Sequence, residues 1–454
     1  MITQLRIQNF KSWRDTGQMR FAPLTGFFGA NSSGKTSILQ MLLLMKQSAE
    51  ARDRSQILFL GDEHSYVNLG GFTDIVHNHD EDYSIKLHLQ WIPQRPSILQ
   101  QSHLEPFLPQ ASDAVSFSAS IGFIEHVITL KEMDYSQGDQ IVGIEFDSTS
   151  EINHPTYKIV DHDDILASRD RLSSPVLPTP SQFFNFPDNL GTHFHHEFIA
   201  YEFVSLFRDF LYDVQYLGPL RDFPSRAYLY RGSRISHIGS RGQDTIPALI
   251  SSQIVERDDA VTQDIAAKLK QLGLIHRFKI YPIAEGRREY EARIQQTPSA
   301  PEVVLTEVGF GVSQILPVLA ICYLAKPGST IILEQPEIHL HPAVQAGLAD
   351  MFIDVIKNRG VQIILESHSE HLLRRLQRRM AEEQLAQDDV ALYFTRMADG
   401  ESKLDELDID AYGNIRNWPE NFFGDEMGDL VAMTEAAMQR QMRNGAAVGH
   451  TQEQ

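Results

Sequence analysis

A glycine-rich segment near the N-terminus constrains the fold more than any other part of the sequence. The segment Gly29–Thr36 reads GANSSGKT and fills all three constrained positions of the phosphate-loop spacing. In such a loop the glycines let consecutive backbone N–H groups turn towards phosphate oxygens, and the N-terminus of the following helix adds positive potential. The segment therefore predicts a strand, a phosphate-binding loop and a helix in succession, with a nucleoside triphosphate as the ligand.

The sequence on both sides of this loop agrees with that prediction. Met1–Ile7 is typical of a strand, a short apolar stretch leads into the loop, and Ser37–Lys46 predicts a helix. We expect Lys35 to reach the terminal phosphates and the Thr36 hydroxyl to ligate Mg²⁺. The alternative is a glycine- and serine-rich turn that binds nothing, and the flanking strand and helix disfavour it. The residues predicted to hold the nucleotide are Gly29, Asn31, Ser32, Ser33, Gly34, Lys35, Thr36 and Ser37.

Composition indicates a protein with a sizeable core and without disulfides. Of the 454 residues 42% are hydrophobic, and the single cysteine, Cys322, lies in an apolar run. One cysteine excludes a disulfide framework and a cysteine-rich metal site. No apolar run approaches the roughly 20 residues of a membrane-spanning helix, and the N-terminus enters a strand without a secretory signal pattern. We therefore expect a soluble, cytoplasmic protein that is not bound to a membrane.

The net charge of −20 at pH 7 argues against a surface that holds nucleic acid mainly through bulk electrostatics. A local basic stripe remains compatible with this charge. The candidate stripe is one side of a predicted helix that carries Arg374, Arg375, Arg378 and Arg379. A solvated helix face whose charges pair with acidic neighbours has the same pattern, and we favour that interpretation.

A second region of chemical interest begins near residue 303. Gly309–Gln314, with the sequence GFGVSQ, precedes an apolar helix predicted at Ile315–Leu324 with Pro317 in its first turn. Thr330–Glu337, with the sequence TIILEQPE, then combines a buried-strand pattern with acids at its end. A Walker B strand requires this pattern, because apolar residues bury it in a parallel sheet and the terminal acid organises Mg²⁺ and water.

A histidine follows the next apolar strand. After a helix predicted at Ala343–Lys357, the strand predicted at Val361–Leu365 leads into Glu366–Ser369, with the sequence ESHS. A histidine just beyond a core strand can reach a γ-phosphate held at the edge of the sheet. His368 is therefore a candidate catalytic residue.

Seven short segments carry a resemblance to a known family. They are Leu5–Trp13 (LRIQNFKSW), Gly29–Thr36 (GANSSGKT), Tyr216–Asp222 (YLGPLRD), Val308–Pro317 (VGFGVSQILP), Leu333–Pro342 (LEQPEIHLHP), Glu366–Glu370 (ESHSE) and Asn417–Phe423 (NWPENFF). In this order they resemble the ATP-binding-cassette (ABC) type of ATPase found in RecF, Rad50, SMC and overcoming-lysogenisation-defect (OLD) proteins. More closely, they resemble the bacterial AAA family ATPases of that superfamily with a C-terminal domain of unknown function.

The resemblance implies an α/β fold, an ABC-ATPase head with a mixed or parallel sheet and flanking helices. Between about residues 91 and 200 proline and serine recur, and Val115–Ile121 and Ile141–Phe146 predict strands, whereas Glu197–Tyr212 predicts a helix. We expect an inserted α+β region there. The predicted segments are the first part of the head (1–90), the insertion (91–200), a helical connecting region (201–300), the second part of the head (301–400) and a C-terminal tail domain (401–454).

The resemblance also implies a mechanism. Two heads of such proteins pair head-to-tail, and the phosphate loop of one copy faces the signature segment of the other across ATP. By this resemblance His368 would be the switch histidine, and ATP and Mg²⁺ would be the cofactors. The residues implied to supply the signature contacts are Gly309, Gly311, Ser313 and Gln314.

The end of the Walker B strand departs from the usual pattern. Transporters and SMC proteins place Asp-Glu there, and the glutamate polarises the attacking water, whereas this chain has Glu334 and Gln335. An amide cannot act as a general base. Glu334 can still order Mg²⁺, and Glu337 is the candidate substitute for the missing glutamate. We therefore predict a slow, Glu337-dependent ATPase.

Three functions are compatible with these residues. The first is a switch ATPase, a homodimer or higher homo-oligomer, that controls a separately encoded nuclease or toxin in anti-phage defence or DNA repair. The second is a repair ATPase that clamps DNA ends directly. The helix with four arginines favours this function, whereas the net charge of −20 disfavours it. The third is a scaffold that ATP assembles with little hydrolysis, which Gln335 favours.

Overall fold

The computed structural model describes residues 1–94, 114–138, 140–149, 155–162, 176–194, 197–235, 237–255, 257, 259–419, 431–438 and 440. The strands are β1 Ile2–Phe10, β2 Trp13–Asp15, β3 Met19–Arg20, β4 Leu24–Gly29, β5 Ile85–Trp91, β6 Val115–Ile124, β7 Val127–Gln137, β8 Gln140–Phe146, β9 Tyr157–His162, β10 Val214–Leu217, β11 Tyr228–Leu229, β12 Arg277–Pro282, β13 Glu289–Gln295, β14 Val303–Val304, β15 Thr330–Glu334, β16 Gln362–Glu366, β17 Val390–Ala398 and β18 Glu401–Glu406. The helices are α1 Lys35–Glu50, α2 Phe72–Ile75, α3 Leu190–His193, α4 Glu197–Tyr212, α5 Thr245–Val255, α6 Ala260–Gln271, α7 Phe310–Leu324, α8 Pro342–Arg359 and α9 Glu370–Ala381.

Six strands form the central sheet, in the order β10-β15-β16-β4-β17-β18. The first five run parallel, and β18 returns antiparallel along β17. Every residue of β4, β15 and β16 is buried, which is typical of strands in a parallel sheet covered on both faces. This mixed sheet with its helices confirms the predicted α/β class.

A second, antiparallel sheet joins residues that lie before and after the phosphate loop. Its strands follow the order β2-β1-β5-β6-β7-β8-β9, with β3 also paired to β1. Because β5 pairs with β1 on one side and with β6 on the other, the strands predicted at Val115–Ile121 and Ile141–Phe146 extend a sheet that begins at the N-terminus. Strands β11 to β14 form a third, smaller sheet.

The two faces of the central sheet pack into different hydrophobic cores. On one face, Ile332 and Ile364 pack with α1, α4 and the antiparallel sheet. On the other face, Ile331 and Ile363 pack with the helices α7, α8 and α9. Successive side chains of a strand point to opposite faces, so each apolar run of these strands fills both cores. The central sheet is thereby held rigidly from both sides.

The observed helices agree with the predicted ones except at the start of α7. The structure gives α4 the predicted bounds, whereas α7 begins at Phe310 and not at Ile315. The prediction that Pro317 lies in the first turn is therefore wrong, since this residue lies in the helix interior. The reason is that Gly309, in an extended conformation, starts the helix, so that Gly311 is already helical.

None of the described helices is both long and apolar enough to cross a membrane. Of the predicted tail motif Asn417–Phe423, residues 420–423 lie outside the described residues, as does most of the chain beyond them.

Candidate nucleotide-binding site

The carboxyl ends of three neighbouring parallel strands bring the predicted site together. β4 ends at Gly29, β16 ends at Glu366 and β15 ends at Glu334, and these strands lie side by side in the central sheet. Ligands of open α/β sheets bind at this edge, where loops leave the strands. The phosphate loop and the Walker B acid are therefore neighbours in space, although about 300 residues separate them along the chain.

Two glycines of the phosphate loop occupy positions that no other residue fits. Gly29 has φ 137° and Gly34 has φ 97°, both in the region that favours glycine. A Cβ at Gly29 would lie 2.2 Å from the Thr395 carbonyl oxygen, and one at Gly34 would lie 2.3 Å from the Ser402 Oγ. Strand β17 and the start of β18 thus press against the loop and fix its path.

Side chains of the loop also bond to the loop itself. Lys35 Nζ donates to the carbonyl oxygens of Gly29, at 3.1 Å, and Ala30, at 2.7 Å. Ser33 Oγ donates to the Ala30 carbonyl at 2.8 Å and lies 2.5 Å from Thr395 Oγ1. An incoming phosphate would exchange these carbonyl partners of the lysine for its own oxygens. The remaining predicted contacts lie around them: Asn31 and Ser32 are exposed, and Ser37 is half-buried in the first turn of α1.

Two buried glutamates meet beside this loop. Glu334 and Glu366 are directly paired in the register of β15 and β16. Thr36 Oγ1 donates to Glu366 Oε2 at 2.7 Å, and Lys35 Nζ lies 3.9 Å from Glu366 Oε1. Burial, together with the charge of Glu366, raises the pKa of Glu334 to about 7. Burial also raises the pKa of Glu366, and the bond from Thr36 opposes that rise.

These groups suit Mg²⁺. The hydroxyl of Thr36 and the carboxylates of Glu334 and Glu366 are the oxygen ligands that this cation prefers. Two carboxylates buried side by side repel each other, and a divalent cation would relieve that repulsion. Among the described residues no three acids, histidines or cysteines form a metal site by themselves. Thr36 and Glu334, the predicted ligands, thus fit the metal, and Glu366 joins them.

A tyrosine fixes the Walker B acid. Tyr216, on β10, donates from its hydroxyl to Glu334 Oε1 at 3.0 Å. β10 runs parallel to β15 and brings Tyr216 level with Ile332, two residues before the glutamate. The carboxylate of Glu334 is therefore held in one orientation.

Glu337 connects the turn after β15 to the segment after β16. Its Oε1 accepts from Ser367 Oγ at 2.8 Å and from the His368 N–H at 2.7 Å, whereas its Oε2 is buried without a partner. Burial raises the pKa of Glu337. Burial and the charge of Lys35 lower the pKa of His368, which bonds to the backbone of Gly29. The predicted switch histidine therefore lies against the phosphate loop, and its ring is neutral at pH 7.

The predicted signature segment lies at the start of α7, beside the loop that follows β15. Gly309 is exposed at the start of α7. Gly311 lies beside the loop after β15, since a Cβ at this position would lie 3.9 Å from the His339 carbonyl oxygen. Ser313 and Gln314 are buried, and Ser313 Oγ donates to the Phe310 carbonyl within the helix. Of the four predicted signature residues, Gly309 is therefore exposed, Gly311 is half-buried, and Ser313 and Gln314 are buried.

The signature segment carries an exposed aromatic side chain. Phe310 is 43% exposed, and its ring lies 5.9 Å from that of Phe223 and 5.1 Å from that of His339. Phe223 is 79% exposed. The start of α7 and the loops after β10 and β15 thus share one surface.

The structure brings to the site three residues that the sequence does not predict there. Glu366 bonds Thr36, Tyr216 bonds Glu334, and Arg221 donates to the carbonyl oxygen of Gln335 at 3.2 Å. A signal for Glu366 exists, because it ends an apolar strand just as the Walker B acid does. Tyr216 and Arg221 lie in the motif YLGPLRD, whose spacing alone does not predict a role.

The arginines of α9 are paired with acids. Arg374 bonds Glu370 at 3.0 Å, and Arg378 bonds Glu382 at 2.7 Å. Arg375 and Arg379 each lie 2.6 Å from Asp350. The prediction of a solvated face with acidic partners is confirmed.

Three family profiles match the sequence. The profile described as "AAA domain, putative AbiEii toxin, Type IV TA system" matches residues 147–374. An AAA ATPase domain profile matches residues 1–169, and the profile of a protein family of unknown function, DUF3696, matches residues 385–433. No protein with a curated description matches the chain.

Solved structures similar to this chain include SMC heads. An SMC head bound to the C-winged helix domain of ScpA is 12% identical, with 90% of this chain and 98% of the other covered and a TM-score of 0.46. The SMC head domain from Thermotoga maritima is 14% identical, with coverages of 90% and 99% and a TM-score of 0.39. An SMC head with an extended coiled coil from Pyrococcus furiosus, bound to the C-terminal domain of ScpA, is 11% identical, with coverages of 89% and 96% and a TM-score of 0.42.

The first profile spans about half of the chain and includes the signature, Walker B and histidine segments. Together with the second, it covers the phosphate loop as well. The protein therefore belongs to this AAA domain family, as an ABC-type AAA ATPase whose C-terminal segment matches a family of unknown function.

Proposed function

We propose that this protein is an ATP-driven switch that pairs with a second copy of itself around ATP and hydrolyses the nucleotide slowly. The observation that carries the proposal is the division of the site. Lys35, Thr36, Glu334 and His368 converge at one edge of the sheet, whereas Gly309 is exposed on the surface at the start of α7. An exposed helix start with free backbone N–H groups suits a phosphate that a second copy presents.

Hydrolysis in this proposal depends on Glu337. Water attacks the γ-phosphate, ADP leaves, and a base takes up the proton that the water loses. The Gln335 amide cannot take up that proton, and Glu334 is engaged by Tyr216 and suited to Mg²⁺. Glu337 keeps one carboxylate oxygen without a partner, and burial raises its pKa, as a general base requires.

The test compares two isosteric variants. We expect Glu337→Gln to lower steady-state ATP turnover by about 100-fold or more, the usual contribution of a general base, with MgATP binding retained. Glu334→Gln should weaken the dependence of ATP binding on Mg²⁺. Turnover that survives Glu337→Gln and disappears with Glu334→Gln would overturn the assignment to Glu337.

The proposed partner is a separately encoded effector, a nuclease or toxin, that the switch controls in the cytoplasm. The family profile with its toxin–antitoxin description supports a role in anti-phage defence, and the superfamily resemblance supports DNA repair as the setting. The test is purification of the protein from its native host with ATP, with ADP and without nucleotide. A partner that co-purifies in one nucleotide state is expected, and none in any state would count against control of an effector.

A scaffold that ATP assembles with little hydrolysis is the second candidate, and Gln335 favours it. Its signature would be an ATP-dependent rise in mass without multiple turnovers. Direct clamping of DNA finds less support, because the arginines of α9 are neutralised by Glu370, Asp350 and Glu382.

A further inference from the structure

A buried arginine lies behind the Walker B turn and is only partly bonded. Arg221 follows β10 and is 6% exposed. Its Nη2 donates to the Gln335 carbonyl oxygen at 3.2 Å, and the Glu334 carbonyl oxygen lies 3.5 Å away. Its Nε and Nη1 are buried and have no hydrogen-bond partner. The guanidinium has five N–H donors, and its main hydrogen-bond acceptor is thus one carbonyl oxygen, that of Gln335.

The charge that faces this arginine is Glu337. Burial lowers the pKa of Arg221, and the charge of the Glu337 carboxylate opposes that decrease. The charge of Arg221 in turn lowers the pKa of Glu337. Glu337 Oε2 is buried and unpartnered, as are two nitrogens of the guanidinium. Burying opposite charges that are not bonded costs several kcal/mol in general, and such an arrangement persists when the surrounding structure holds it.

The arginine also holds the turn that carries Glu337. Gln335 has φ 44°, a left-handed conformation that is uncommon outside glycine. Its carbonyl oxygen accepts from the Ile338 N–H at 3.1 Å, which closes the turn, and from Arg221. Two donors therefore fix the same oxygen, and Glu337 is the residue between Pro336 and Ile338 in that turn.

We propose that Arg221 is a positioning residue that sets the carboxylate of Glu337 for hydrolysis, through its bond to the turn and its charge. This inference rests on the proposed role of Glu337 in turnover. It gives the motif YLGPLRD a function, since β10 supplies Tyr216 to Glu334 and, five residues later, Arg221 to the Glu337 turn. β10 and the loop after it thus position both acids.

The variants separate the bond from the charge. Arg221→Lys keeps the positive charge and one donor nitrogen. Arg221→Gln keeps one donor nitrogen and removes the charge. Arg226→Gln is the matched control, because Arg226 is an exposed arginine of the same loop and pairs with Glu307 on the surface. Thermal unfolding of each variant with MgATP shows whether the fold survives.

We expect Arg221→Gln to lower kcat by about 10- to 100-fold, the usual effect of losing a residue that orients a reacting group, with little change in KM for ATP. Arg221→Lys should recover part of that loss, and Arg226→Gln should match the wild type. In a double-mutant cycle, Arg221→Gln should have little further effect once Glu337 is Gln. Independent, multiplicative effects of the two substitutions, or wild-type kcat in Arg221→Gln, would overturn the proposal.

A second measurement does not need hydrolysis. Glu337 Oε1 accepts the His368 N–H, so hydrogen exchange of the peptide around residues 366–369 reports how firmly Glu337 is held. Arg221→Gln should speed that exchange, whereas Arg226→Gln should not. If the wild type shows no turnover, the proposed hydrolysis fails, yet faster exchange still supports Arg221 as the positioning residue and unchanged exchange overturns it.

Discussion

At the scale of single residues, the site depends on buried charges that need a cation or a proton. Lys35 lies 3.9 Å from one oxygen of Glu366, and within the described part of the chain Glu334 is bonded by the Tyr216 hydroxyl and by no basic side chain. Burial, together with the charge of Glu366, raises the pKa of Glu334 to about 7. MgATP would supply the ion, and Lys35 would turn to the phosphates.

The Thr36 hydroxyl offers a direct test of the metal assignment. We expect Thr36→Ala to weaken MgATP binding by about 10-fold or more, since the variant loses a ligand of the ion and the partner of Glu366. Thr36→Ser keeps the hydroxyl and should bind as the wild type does. Titration calorimetry with and without Mg²⁺ measures both. A variant Thr36→Ala whose affinity for ATP still depends on Mg²⁺ as in the wild type would remove this residue from the metal site.

Asp134 gives a prediction about pH and stability, away from the nucleotide. Burial raises its pKa from 3.8 to about 6, Glu132 adds to the rise, and a bond from Ser118 opposes it. The folded protein therefore keeps this proton while the unfolded chain loses it, and stability falls as pH rises from about 4 to about 6. We expect Asp134→Asn to raise the free energy of unfolding at pH 7 by about 1 to 2 kcal/mol and to have little effect at pH 4.

Chemical denaturation at the two pH values checks this prediction. Asp147 is the control of opposite sign, because bonds from Thr149 and Lys158 lower its pKa to about 2. Asp147→Asn should therefore lower stability at pH 7. An Asp134→Asn variant that loses stability at pH 7 would show that the carboxylate is well accommodated in the sheet.

At the scale of elements, the glycines of the phosphate loop and the glycine at the start of α7 are constrained differently. Gly29 and Gly34 are fixed by φ and by contacts with Thr395 and Ser402, whereas a Cβ at Gly309 would meet no atom within 4 Å. The phosphate loop is thus constrained by the fold of one copy. Among the described residues no close contact constrains Gly309, which serves as the N-cap of α7.

Substitutions at these glycines should therefore differ. We expect Gly29→Ala to lower the midpoint of thermal unfolding, because the new Cβ clashes with the Thr395 backbone. Gly309→Ala changes only the N-cap of α7, so it should lower the midpoint less than Gly29→Ala does and should weaken ATP-dependent pairing. Thermal unfolding and light scattering measure the two effects. If Gly309→Ala pairs normally with ATP, the start of α7 does not face a phosphate of the second copy.

Sequence patterns predict the strands and helices at the site better than they predict the contacts between side chains there. The strand–loop–helix unit, the buried strands β15 and β16 and the helix α4 follow from apolar runs and glycine spacing. The bond from Thr36 to Glu366 joins residues 330 positions apart, so no local pattern encodes it. The sequence does not predict the early start of α7, because it does not show which of Gly309 and Gly311 precedes the helix. In the structure the extended backbone of Gly309 makes this residue the N-cap.

At the scale of the whole molecule, the central sheet links the two halves of the sequence. Its order places β4 between β16 and β17, so an N-terminal strand is enclosed by C-terminal ones. The antiparallel sheet and α1 pack on one face, and α7, α8 and α9 pack on the other. A nucleotide bound at the edge of this sheet would therefore contact elements from both halves at once.

The central claim is that ATP joins two copies of this protein. Its most direct test is the mass in solution, by light scattering, with MgATP, with MgADP and without nucleotide, for the wild type and for Lys35→Ala. We predict that MgATP alone doubles the mass of the wild type and leaves Lys35→Ala unchanged. An equal mass of the wild type in all three conditions, with ATP shown to be bound, would contradict the account.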